Sequence, residues 1–148
     1  MTQRAVTHPK RASLVRAALV LAGLLPFLAW ALHDVAPGAY GVLDGWFRFQ
    51  CHARAERSLA LGSRLLPVCS RCLGIYLGLS MAAAVARPRL TPRARRAWLV
   101  AAAALMVLEV FVQDATGHAP FHFLRLATGA LLAWPVVLIV VAAAEGDG

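Results

Sequence analysis

The residues most able to do chemistry lie close together. All three cysteines fall within 22 residues, and a histidine follows the first of them. Sixteen residues separate Cys51-His52 from the Cys69-x-x-Cys72 pair. Structural zinc sites use four thiolate or imidazole ligands. Two intervening residues let one turn aim both sulfurs at one ion, whereas adjacent side chains usually diverge. The pattern predicts a zinc site in which the ligands are Cys51, His52, Cys69 and Cys72.

The same cysteine pair also suits thiol–disulfide chemistry. If Cys69 lies at the start of a helix, the helix dipole and the neighbouring Arg71 both favour its thiolate. The layout then resembles that of quinone-reducing membrane disulfide oxidases, with Cys69 attacking, Cys72 resolving and quinone as cofactor. Those enzymes use a second cysteine pair, and here only Cys51 is available. A third interpretation is a non-enzymatic membrane assembly subunit, whose cysteines are small apolar packing residues.

The composition indicates a membrane environment. Hydrophobic residues make up 60% of the chain and charged residues 15%, against about 45–50% and about 25% in soluble domains. The net charge of +8 comes from 15 basic and 7 acidic residues. The arginines cluster between apolar runs, which is typical of membrane topology signals. They lack the interleaved aromatic residues of a nucleic-acid surface, so we expect a lipid bilayer and no nucleic acid as partner.

Four apolar runs predict an all-α bundle of four transmembrane helices. A run of nineteen residues extends about 28 Å as a helix, close to the roughly 30 Å of a hydrocarbon core. We expect a single membrane domain, 1–148, that begins with a loose cytoplasmic tail, 1–13. Between the first two helices we expect a loop, His33–Pro67, which carries Cys51 and His52. The predicted helices lie at about 14–32, 67–86, 97–113 and 123–144.

The ends of these segments suggest a topology. Basic residues are denser before Leu14 and in 87–96 than elsewhere, which favours cytoplasmic termini in the cell (inner) membrane and an outward-facing cysteine loop. A cleaved signal peptide is the alternative for the first run, because Ala29-Trp30-Ala31 matches a cleavage pattern. Gly74 and Gly78 have the spacing that permits close helix contact, including self-association of two chains.

Several polar residues fall inside the predicted helices or at their ends. In this topology Arg71, Glu109 and Arg125 meet at the outer ends of helices two, three and four. An unpaired charge within a bilayer costs a few kcal/mol, so these residues form a structural ion pair or a functional site. Gln113 shares the face of Glu109, four residues away. In the turn after helix three we expect Asp114, His118 and His122 to be turn or interfacial residues.

The cysteine segment also resembles a known family. The matching residues are Cys51-His52, Glu56-Arg57-Ser58, Gly62, Pro67-x-Cys69-x-Arg71-Cys72-x-Gly74-x-Tyr76-x-x-Gly78 and, later, Gln113, Arg125, Thr128 and Gly129. The pattern resembles the small predicted membrane proteins of domain of unknown function 2085, over about residues 46–140. Glu109 stands where we expect an aspartate in that family. The resemblance implies no activity, but it places Glu56, Arg57, Ser58 and Tyr76 in one functional unit with the cysteines.

Overall fold

The computed structural model describes residues 9–52, 54–87, 89–117 and 121–146. The chain is mostly helical, as predicted. A 3-10 turn at Ala55–Arg57 leads into a two-stranded antiparallel hairpin. In chain order the elements are α1 (Pro9–Val35), α2 (Pro37–Gln50), β1 (Ser58–Leu61), β2 (Arg64–Cys69), α3 (Ser70–Val85), α4 (Pro92–Thr116) and α5 (His122–Glu145).

Three helices, α1, α4 and α5, are long and apolar enough to cross a membrane. They present apolar side chains outward, including Leu14, Val100 and Phe111, each about 70% exposed. That outward surface fits lipid better than water. The helix predicted at 67–86 begins only at Ser70, because the preceding residues belong to β2. Its sixteen residues extend about 24 Å, which is short of a hydrocarbon core.

The prediction of a loop between the first two apolar runs was wrong for the first half of that segment, which forms α2. Tyr40, Leu43 and Phe47 recur at intervals of three and four residues and so share one helix face. Phe47 is completely buried in the core that includes Ala29 of α1. Pro37 occupies the first turn of α2, where its missing N–H leaves no intrahelical bond unmade.

The second half of that segment forms the β1–β2 hairpin, which was also not predicted. Leu66 and Val68 are buried, whereas their strand neighbours Leu65 and Pro67 are more exposed, the two-residue period of a half-buried strand. Gly62 makes the turn with φ of +65°, a conformation that glycine adopts without strain. The hairpin folds the chain back, so that its last residue lies near the end of α2.

Helix α3 packs most extensively against α5, then against α1. A Cβ added to Gly74 would overlap the carbonyl oxygen of Leu126, and one added to Gly78 would lie 2.8 Å from Cα of Ala130. The glycine spacing therefore permits a close helix contact, as predicted, but with α5 of the same chain. Both glycines are buried there, so the self-association expected through them has no exposed surface at these positions.

The arginine inside the first apolar run has hydrogen-bond partners at the C-terminal end of α3. Arg16 of α1 donates Nη1 to the carbonyl oxygens of Ala83, at 2.9 Å, and Ala86, at 2.8 Å. These carbonyls end α3, where a helix lacks partners and favours a cation. The contact places the start of α1 beside the end of α3. The cysteines at the start of α3 therefore lie at the far end of the bundle.

Close contact between α3 and α5 gives the first prediction. We expect Gly74→Ala to destabilise the protein by about 1–3 kcal/mol, because the new methyl group meets the rigid backbone of α5. Gly45→Ala in α2 is the control, since a Cβ there meets nothing within 4 Å. Thermal unfolding in detergent micelles, followed by tryptophan fluorescence, measures both. Equal midpoints for the two variants would show that the close contact is absent.

Candidate functional site

The sulfur atoms of the three cysteines converge. Cys51 directly follows α2, Cys69 ends β2, and Cys72 lies in the first turn of α3. Their Sγ atoms all lie within 4.8 Å of one another. All three are free thiols, with Cys51 buried and the other two half-buried. This convergence was expected from the sequence, and it is compatible with a metal site.

Backbone donors surround the sulfur atoms. The backbone N–H of Cys69 donates to Sγ of Cys51 at 3.2 Å. Hydrogen bonds from the Cys51 and Cys72 side chains, and then from the backbone N–H groups of Cys72 and Arg71, hold the pKa of the Cys69 thiol well below its ordinary value. The thiolate is thus favoured at Cys69, which precedes the N-terminus of α3. Thiolate is the form that binds metals and attacks disulfides.

A cavity of about 320 Å³ opens beside the cysteines. His52 lines this cavity and is exposed, but it is not a member of the group whose ligand atoms lie within 4.8 Å of one another. At least one of the three sulfur atoms therefore lies farther than 4.8 Å from the ring nitrogens of His52. The adjacency of Cys51 and His52 was the weak point of the predicted ligand set. The cavity is lined by the three cysteines, His52, Gln50 and four arginines, Arg54, Arg57, Arg71 and Arg125.

Two polar pairs connect the helices next to this cavity. Arg71 of α3 donates both Nε, at 3.1 Å, and Nη2 to Oε2 of Glu109 in α4. The two side chains are only 17% and 8% exposed. Arg125 of α5 donates Nη1 to Oε1 of Gln113, at 3.2 Å. The predicted meeting of the three helix ends is therefore present, and Glu109 forms its ion pair with Arg71.

Only some of the residues added by the family resemblance line the cysteine cavity. Arg57 lines the cavity, and its Nη2 lies 4.0 Å from Oδ1 of Asp114. Ser58 is buried, pairs with Cys69 in the hairpin and donates its hydroxyl to the carbonyl oxygen of Arg54 at 3.1 Å. Glu56 is exposed in the 3-10 turn and is not among the cavity-lining residues.

Tyr76 contacts the site from the side of α2. Its hydroxyl donates to Oε1 of Gln50 at 3.3 Å, and its ring meets Phe47 edge-on with centroids 5.7 Å apart. Tyr76 also lines a second cavity, of about 210 Å³, together with Cys51 and Cys72. It thereby fixes α2 against α3 next to the cysteines.

Three cavity or near-cavity residues were not predicted as part of the site. Gln50 and Arg54 flank the Cys51-His52 pair and line the cavity, and their signal was their closeness to the cysteines in sequence. Asp114, expected to be a turn residue, ends up facing Arg57. His122 begins α5, whereas His118 lies outside the described residues.

The buried Arg71–Glu109 pair yields a prediction. We expect Glu109→Gln to destabilise the protein by about 3 kcal/mol, because it leaves a buried guanidinium without its counter-charge. Asp44→Asn is the matched control, since it removes a carboxylate paired with the 76% exposed Arg48 and should cost at most about 1 kcal/mol. Thermal unfolding in detergent compares the variants. A loss no greater for Glu109→Gln than for the control would contradict a structural role for the pair.

Comparisons with known proteins identify the family of this chain. The family described as "Predicted membrane protein (DUF2085)" matches residues 51–139, a range that begins at the first cysteine. The chain is also 53% identical over 32 residues to an "Uncharacterized protein" of Methanothermobacter thermautotrophicus (strain Delta H). That similarity covers 22% of this chain and only 29% of the relative. No solved structure matches. The resemblance seen in the sequence is confirmed, and the chain belongs to the DUF2085 family of predicted membrane proteins.

Proposed function

We propose that this protein is a multi-pass membrane protein that binds zinc through its cysteines. The observation that carries the proposal is the convergence of three free thiols within 4.8 Å from three different elements. Cysteines that served only as small packing residues would not need to meet at one point. Soft thiolate ligands at this spacing favour zinc among the common metals of cells.

The surroundings of the cysteines support ionised ligands. Three thiolates around a dication leave one net negative charge, which the nearby Arg71 and Arg125 stabilise. The N–H of Cys69 donates to the sulfur of Cys51, the kind of outer contact that orients a metal ligand. In this proposal Cys51, Cys69 and Cys72 bind the ion, and His52 supplies the fourth ligand after a change of rotamer.

The proposed position is the outer interface of the cell membrane. Helices α1, α4 and α5 cross the bilayer, and α3 is the fourth crossing element. Its short length is offset in this proposal by β2, whose last residue directly precedes α3. The basic residues before Leu14 and in 87–96 then lie on the cytoplasmic side with both termini. The zinc site handles an ion or small molecule that enters the cavity from outside.

A thiol–disulfide oxidoreductase is the second candidate function, favoured by the hydrogen bonds around Cys69. In that case the Cys69 thiolate attacks a substrate disulfide and Cys72 resolves the mixed disulfide, leaving a Cys69–Cys72 disulfide and a reduced substrate. To act instead as an oxidase the pair would pass two electrons and two protons to a quinone. This candidate requires an oxidisable pair, whereas the zinc proposal requires all three sulfurs reduced.

Metal content distinguishes the two candidates. We expect the protein purified in mild detergent to contain about one zinc ion per chain. Cys51→Ser, Cys69→Ser and Cys72→Ser should each lose it, because two sulfurs do not complete the site. Elemental analysis measures the metal, and thiol titration with and without chelator measures the free sulfurs. A metal-free protein with an oxidised Cys69–Cys72 pair would contradict the zinc site and support the oxidoreductase.

The role of His52 has its own test. We expect His52→Ala to lose zinc to a competing chelator at lower chelator concentration than the wild type, because one of four ligands is removed. His33→Ala is the control, since the half-buried His33 contacts Asp34 and does not line the cysteine cavity. Unchanged zinc retention in His52→Ala would exclude His52 as the fourth ligand and leave the three-cysteine site intact.

A further inference from the structure

The cysteine cavity contains more positive charge than a zinc ion bound by three thiolates would neutralise. Arg54, Arg57, Arg71 and Arg125 all line it. Arg71 is paired with Glu109, and Arg57 lies 4.0 Å from the carboxylate of Asp114. Two carboxylates thus face four guanidinium groups. A zinc ion on three thiolates adds only one negative charge, so the cavity stays positive with or without the metal.

Arg125 is a buried cation whose side-chain hydrogen-bond partner among the described residues is a neutral amide. Its side chain is almost fully buried, at 2% exposure, although it lines the cavity. Its described contacts are with the neutral amide of Gln113, and within the described residues no carboxylate forms an ion pair with it. Its Nε has no hydrogen-bond partner in that part of the chain. A guanidinium remains charged at all ordinary pH values, so this arrangement is costly unless an anion approaches it.

We propose that this cavity binds a small oxyanion of the phosphate type, held by Arg125 and Arg57 beside the cysteines. Guanidinium groups bind such oxygens in bidentate fashion, and several arginines around one space recognise them strongly. A volume of about 320 Å³ suits a small ligand. The inference extends the proposed function, because the anion would be the small molecule that the zinc site handles, but binding by the arginines does not require the metal.

Phosphate chemistry can reach this cavity as a free ion or as a lipid headgroup. The test therefore titrates the detergent-purified protein with inorganic phosphate and, separately, with short-chain phosphatidic acid at constant ionic strength. Binding is measured by calorimetry and by the rise in unfolding temperature. Phosphatidylcholine of the same chain length shows whether any lipid effect depends on an accessible phosphate. Binding of inorganic phosphate alone identifies the free ion as the source, and binding of phosphatidic acid alone identifies the lipid headgroup. Binding of both shows that the cavity accepts phosphate from either source.

The variants assign the binding to the cavity. Arg57→Gln, at a half-buried position in the 3-10 turn, should weaken binding by roughly tenfold. Arg125→Lys should also weaken binding, because an ammonium group lacks the bidentate fork of a guanidinium. Arg48→Gln is the control, since it removes the same charge from an exposed arginine outside the cavity. No phosphate binding, or equal losses in Arg57→Gln and Arg48→Gln, would overturn the anion site.

Zinc content measured on the same samples separates this inference from the zinc proposal. Phosphate binding that persists in Cys72→Ser after the metal is lost supports the arginine site as stated. Phosphate binding that disappears with the metal, while Arg57→Gln keeps both, would overturn it in favour of an anion held by zinc alone. A wild-type protein that contains no zinc but binds phosphate through Arg57 would refute the zinc proposal and leave the anion site standing.

Discussion

The backbone contact between α3 and α5 determines where the candidate site lies. A Cβ at Gly129 of α5 would overlap the carbonyl oxygen of Arg71, so the two helices touch within the first turn of α3. This contact sets Arg71 and Cys72 beside Arg125, which lies one turn before Gly129. Larger residues at the contact would separate the helices and open the cavity between the cysteines and the arginines.

The polar residues at this end of the bundle depend on that contact. The Arg71–Glu109 and Arg125–Gln113 pairs each join α4 to one of its neighbours. In a low-dielectric environment such pairs are strong when complete and costly when broken. They therefore keep two cationic groups at the wall of a cavity that also contains three thiols. Thiolates, a metal ion and an oxyanion are the species that this combination of charges can hold together.

The sequence predicted those features that depend on local patterns. Apolar runs identified α1, α4 and α5, and the clustering of the cysteines in the sequence pointed to the three thiols that converge. It did not predict α2 and the hairpin, because Pro37, Gly38 and Gly41 resemble turn residues although Phe47 is buried on a helix face. Arg54 lines the cavity because the hairpin folds the chain back, and the spacing of residues in the sequence does not predict that fold. His52 follows Cys51 directly and lines the same cavity, and its role as the fourth ligand stays a prediction.

X-ray absorption spectroscopy at the zinc edge of the purified protein counts the sulfur atoms bound to the metal, which is the property that the three-cysteine site fixes. The proposed zinc site predicts three sulfur ligands at about 2.3 Å and one lighter ligand at about 2.0–2.1 Å. It also predicts a fall in sulfur number when any one cysteine is replaced by serine. A zinc ion bound only by nitrogen and oxygen, or a spectrum unchanged by those replacements, would contradict it.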